Sequence, residues 1–117
     1  MSVKETARSV YLDVSRIAWE PTEQPGVETK TLYREPSGRQ TVLVRMAPGA
    51  RLPEHRHRGV EQSFVLEGTL VDDEGTCTPG NFVWRRPGSV HSAWSPDGCL
   101  LLAVFEAPNE FLGAGAK

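Results

Sequence analysis

His55 and His57 stand two residues apart in the run PEHRHRGVEQS, and Glu61 follows four residues after the second. The chain has three histidines, and the third, His91, lies far away in PGSVHSAW. Imidazole and carboxylate together are donors suited to iron(II), zinc, manganese, nickel or copper. On extended chain, residues two apart point to the same side, so His55 and His57 address one point. Glu61 lies across the Arg58-Gly59-Val60 turn, at the start of an apolar run, and faces the same point. His91 opens another apolar run. If these runs are neighbouring strands, three imidazoles and one carboxylate converge. Four ligands on rigid strands leave one or two metal positions for water, substrate or oxygen. A His-x-His pair alone is a weak signal; here every histidine of the chain falls in the pattern, and glycines frame both segments.

The elements that must position these residues read as strands. Eleven glycines and nine prolines punctuate 117 residues, and the runs between them are short, β-branched and aromatic. Strands are expected at 27–35, 40–46, 62–67, 69–72, 82–86, 90–94 and 99–106. Seven or eight short strands with frequent turns make an all-β sandwich or barrel. The expected domain is single, 1–117, with the barrel over about 27–106. Residues 10–14 read as an edge strand, 19–26 as a loop and 112–117 as a frayed tail. Alternation from Glu61 puts Ser63 and Val65 on its face and Phe64 and Leu66 on the other. Alternation from His91 puts Ala93 on its face, so small groups line the wall near the ligands.

The two segments carry a family resemblance. The first runs Gly49, His55, His57, Glu61, Gly68 with intervals of five, one, three and six residues. It resembles the first conserved motif of the cupin superfamily in full. The second runs Gly80, Arg86, Pro87, Gly88, His91, Ser95 and is similar to the second cupin motif. It departs at Arg86, where the family usually has proline, and at Ser95, where it usually has asparagine; neither position is a ligand in the family. The resemblance implies a double-stranded β-helix, the jelly-roll (RmlC-like) cupin barrel. It implies one divalent metal, iron(II) first, with zinc, manganese or nickel as alternatives, on His55, His57, Glu61 and His91. It also implies a homodimer. More narrowly, HRHRGVEQSFVLEGTLVDDEG resembles the cupin domain of zinc-binding anti-sigma factors and small dioxygenases that cleave diketones and acetophenones. The acetylacetone-cleaving branch uses three histidines alone; Glu61 resembles the four-ligand branch.

The remaining features bound the function. Net charge is −2 at neutral pH, and the Arg51, Arg56, Arg58 cluster is interleaved with Glu54 and Glu61, so no basic stripe for nucleic acid is present. The longest apolar run is far short of a membrane span. Two cysteines, Cys77 and Cys99, are too few for a disulfide framework. The expected protein is soluble and cytoplasmic, takes a small-molecule substrate, and binds neither nucleic acid nor membrane. Arg45 and Arg86 are the candidates to grip a substrate carboxylate or enolate; Arg85 stands beside the second. Trp84, Trp94, Phe64, Phe82 and Phe105 are for the most part assigned to core or dimer interface rather than pocket. Three functions remain open: an iron(II) dioxygenase, a non-enzymatic zinc-binding sensor, and a small-metabolite isomerase, dehydratase or cyclase in which His91 or Glu61 acts as general base.

Overall fold

The computed structural model describes residues 2–112. The described residues form thirteen strands and one turn of 3-10 helix: β1 (Ser2–Glu5), β2 (Val10–Asp13), the helical turn Val14–Arg16, β3 (Glu20–Pro21), β4 (Val27–Arg34), β5 (Gln40–Met46), β6 (Arg51–Arg56), β7 (Glu61–Gly68), β8 (Leu70–Asp72), β9 (Thr76–Cys77), β10 (Phe82–Arg85), β11 (Val90–Trp94), β12 (Cys99–Phe105) and β13 (Glu110–Phe111). Every pairing is antiparallel. One sheet has the order β10-β7-β12-β5-β4-β3, and a second has the order β13-β6-β11-β8-β9. Neighbours that are distant in sequence, such as β7 beside β12 and β6 beside β11, are the mark of a jelly roll closed from two sheets.

Alternation along the strands builds the core. Val42, Val44 and Met46 on β5, Val65 on β7, and Leu101 and Ala103 on β12 turn inward. They meet Leu70, Cys77 and Ala93 of the smaller sheet. The residues between them, Arg45, Phe64 and Leu66, face outward and are exposed. A buried aliphatic side chain contributes about 1.5–3 kcal/mol relative to exposure, so this pattern sets the register: a slip of one residue would expose the whole set.

Gly68 is demanded by geometry. Its φ is +75°, and a Cβ there would collide with the Gly98 carbonyl oxygen and lie 2.7 Å from Cys99 Cα. Here β7 turns out of one sheet into β8 of the other, against the loop that enters β12.

The N-terminal part departs from expectation. Residues 10–13 are a strand at the edge of a separate two-stranded hairpin, paired with β1 rather than with either sheet of the barrel. The expected loop 19–26 contains β3, which pairs with β4 at the end of the larger sheet. β6, whose residues alternate charged and apolar only weakly, lies outside the expected runs, as do the two-residue strands β9 and β13, which are too short to show alternation. Of the expected tail 112–117, residues 113–117 lie outside the described residues.

Candidate metal centre

β6 ends in the first two ligand candidates. His55 lies in the strand and His57 one residue beyond its end, and both are buried. β11 runs antiparallel beside β6 with His91 directly opposite His55. His57 is fixed against the turn that leads into β11: its N–H donates to Ser89 O at 2.9 Å, and the Gly88 N–H donates to His57 O at 2.6 Å. That backbone pair explains how segments 30 residues apart hold three rings together. Ring centroids lie 4.8 Å apart for His55–His57, 4.6 Å for His55–His91 and 4.8 Å for His57–His91. One ring nitrogen from each can be chosen so that all three lie within 4.8 Å of one another. Glu61 opens β7, and its Oε1 lies 2.9 Å from His57 Nδ1. The Ser63 hydroxyl donates to Glu61 Oε2 at 3.1 Å.

The surroundings orient the rings. His55 Nδ1 is 2.8 Å from Pro53 O; a carbonyl only accepts, so Nδ1 carries the proton and Nε2 is left as the free donor pair. His91 Nδ1 is 3.3 Å from Asp72 Oδ2, which selects the same tautomer. Asp72 is itself held: its Oδ1 accepts the N–H groups of Glu74 and Gly75, each at 2.8 Å, and Arg85 pairs with its Oδ2. A carboxylate behind a ligand histidine fixes tautomer and orientation and raises ligand basicity.

The electrostatics favour a cation. Burial pushes the His91 pKa down to about 4, with Arg85 adding to the shift, and burial also lowers His55. Both rings are therefore neutral at physiological pH, as ligands must be. Burial alone would raise Glu61, but His57, His55 and the Ser63 hydroxyl outweigh it and keep the carboxyl ionised. The contact of His57 Nδ1 with Glu61 Oε1 is close but poorly aligned. Neither of these atoms, nor His57 Nε2, has a hydrogen-bond partner, although all three are buried. Buried polar atoms without partners are rare and costly. A divalent ion is the partner this donor set fits.

Beside the centre lies a cavity of about 440 Å³ that reaches Glu61 and is walled by Val42, Val44, Leu52, Leu101, Phe105 and Phe111, with Thr29 and Thr31 among its polar groups. Phe111 packs its ring 5.3 Å from that of His55.

The structure separates the remaining candidates. Arg45 projects from the outer face of β5, opposite Val44 and Met46, pairs with Glu28 at 2.7 Å and stacks on Trp19 at 4.1 Å. Arg86 is exposed and stacks on Trp84 at 4.8 Å. Neither makes a contact with the histidines. The arginine that does reach the site is Arg85, through Asp72. Ser63, Val65 and Ala93 are buried on the inner side as alternation required, although β11 is irregular between His91 and Ala93. Asp72 was missed because an acid before Asp-Glu-Gly reads as an ordinary turn residue. Phe111 was missed because its strand has two residues.

Solved structures show the same fold. A candidate acetylacetone dioxygenase from Methylibium petroleiphilum is 18% identical, covering 99% of this chain and 89% of its own, with TM-score 0.84. The acetylacetone dioxygenase from Acinetobacter johnsonii is 19% identical, covering 100% and 86%, with TM-score 0.82. The anti-sigma ChrR from Rhodobacter sphaeroides, solved in complex with SigE, is 22% identical, covering 80% of this chain and 51% of its own, with TM-score 0.70. No curated protein matches the sequence. The family model described as the ChrR cupin-like domain matches residues 7–109. The motifs, the jelly roll and that match agree: the chain belongs to the ChrR cupin-like domain family.

Proposed function

We propose that this protein is a metal-dependent oxygenase: a non-haem iron(II) dioxygenase that cleaves a carbon–carbon bond in a small diketone or hydroxylated aryl ketone. The observation that carries the reading is the cluster of three imidazoles, His55 and His57 buried and His91 partly so, with Glu61 both against His57 and on the wall of a cavity of about 440 Å³. His55, His57, His91 and Glu61 would hold the metal. Iron(II) bound there supplies the one-electron chemistry that lets dioxygen react with a closed-shell carbon compound. Three imidazoles and one carboxylate would leave a dication held there with a net positive charge suited to an enolate or phenolate oxygen. The valine, leucine and phenylalanine wall accepts the apolar body of such a substrate and excludes water. Phe111 lines the cavity and packs its ring 5.3 Å from that of His55. Both atoms of dioxygen enter the two products, so no further reductant is required. Arg45 and Arg86 take no part in this reading.

The test is oxygen uptake by protein loaded anaerobically with iron(II). Substrate-dependent uptake with a small β-diketone or a hydroxylated aryl ketone, lost in His55→Ala, supports the reading. Full iron loading with no uptake across both classes overturns it.

A second reading is favoured by the family match and by the anti-sigma neighbour. It is a non-enzymatic zinc-binding sensor whose metal state changes a protein contact. Zinc retained in preference to iron, with no oxygen uptake, selects it.

A further inference from the structure

Two apolar surfaces are left uncovered among the described residues. The first is the hairpin of β1 and β2. The pairing Val3↔Leu12 and Glu5↔Val10 places Val3, Val10, Leu12 and Glu5 on one face, and Lys4 over Tyr11 on the other. The hairpin is amphipathic, yet Val3 is 44% and Val10 59% exposed. A two-stranded hairpin is marginal by itself in water and needs a hydrophobic face to rest on. The second surface is the outer face of the larger sheet at its β10 edge. Phe82 pairs directly with Phe64, and Trp84 with Gln62. Phe64, Leu66, Phe82 and Trp84 are all exposed, Phe82 to 51%. A cluster of large apolar side chains of this kind marks a contact site.

The same chain thus carries a ligand and its seat. We infer that two copies associate through a two-fold axis, with the hairpin of each laid on the Phe64, Phe82, Trp84 patch of the other. The patch and the root of the arm share one side of the molecule. Behind the hairpin, Val14 O accepts a hydrogen bond from Lys30 on the outer face of β4, and Trp19 stacks on Arg45 of β5. That segment covers the outer face at β4 and β5 and leaves it bare at β7 and β10. The one charge on the hairpin's apolar face, Glu5, has its opposite in Arg86, which lies over Trp84. A two-fold arrangement makes both contacts at once, so the interface is closed and self-complementary. This gives the homodimer implied by the resemblance a specific geometry, and it stands independently of the metal reading.

Sedimentation of the full chain tests it, with metal content measured on the same samples so that failure of one reading is separable from failure of the other. The wild type should sediment at twice the chain mass. Val10→Asp and Phe82→Glu, both on exposed side chains clear of the core, should each raise the dimer dissociation constant at least about tenfold while metal content stays unchanged. A monomeric wild type, or a dimer indifferent to either substitution, overturns the inference.

Discussion

Asp72 shows most directly how a residue behind the centre sets the ring in front of it. Its carboxylate holds His91 in one tautomer and is itself tied by two backbone N–H groups and Arg85. Asp72→Asn keeps the shape and removes the charge, so metal affinity should fall about 10–100-fold, read by competition against a coloured chelator; unchanged affinity would deny Asp72 this role. The low pKa of His91 gives a pH prediction. Between its ordinary 6.5 and about 4, the unfolded ring takes up a proton that the folded ring refuses. The unfolded state then binds more protons, so stability rises with pH across that window and is lost as pH falls through it. Melting of the metal-free protein from pH 7 to pH 4 should show this decline, and His91→Asn should flatten it. The clustering of the three histidines was legible in the sequence because the His55-x-His57 spacing and the framing glycines need only neighbouring residues. Their supports were not: Asp72 and Arg85 matter through pairings between strands, which spacing along one chain does not reveal.

Among the elements, most strands of the two sheets were legible, but β6, six residues long and split by Pro53 and charged residues, was not among the expected runs. β5 and β11 fall where alternation and flanking turns placed them, because Val42, Val44 and Met46, or His91 and Ala93, occupy one face. β9 and β13 each have two residues, and two residues have no period. The hairpin of β1 and β2 was half read, since polar residues on both sides of Val10 hide its partner. Gly68 is the position where an element depends on one atom being absent. Gly68→Ala must move the Gly98 carbonyl as well as adopt a positive φ, whereas Gly80→Ala, also at positive φ, meets open space. Both should destabilise, Gly68→Ala by clearly more than about 1 kcal/mol and by more than Gly80→Ala. Urea denaturation of the two variants checks the order; equal midpoints would contradict the packing described here.

For the whole molecule, the jelly roll brings the end of β6 together with the starts of β11 and β7, so that two distant segments of sequence become one centre. A ligand that binds the folded state alone stabilises it by mass action. Iron(II) or zinc added to metal-free protein should therefore raise its melting temperature, and the same addition to His55→Ala should not. The measurement that bears most directly on the account is elemental analysis of untagged protein purified without chelator, beside His91→Ala. The account predicts close to one divalent metal per chain in the wild type and loss of it in the variant, with both proteins folded. A wild-type chain that holds no metal, and takes up none when offered iron(II) or zinc, would contradict it.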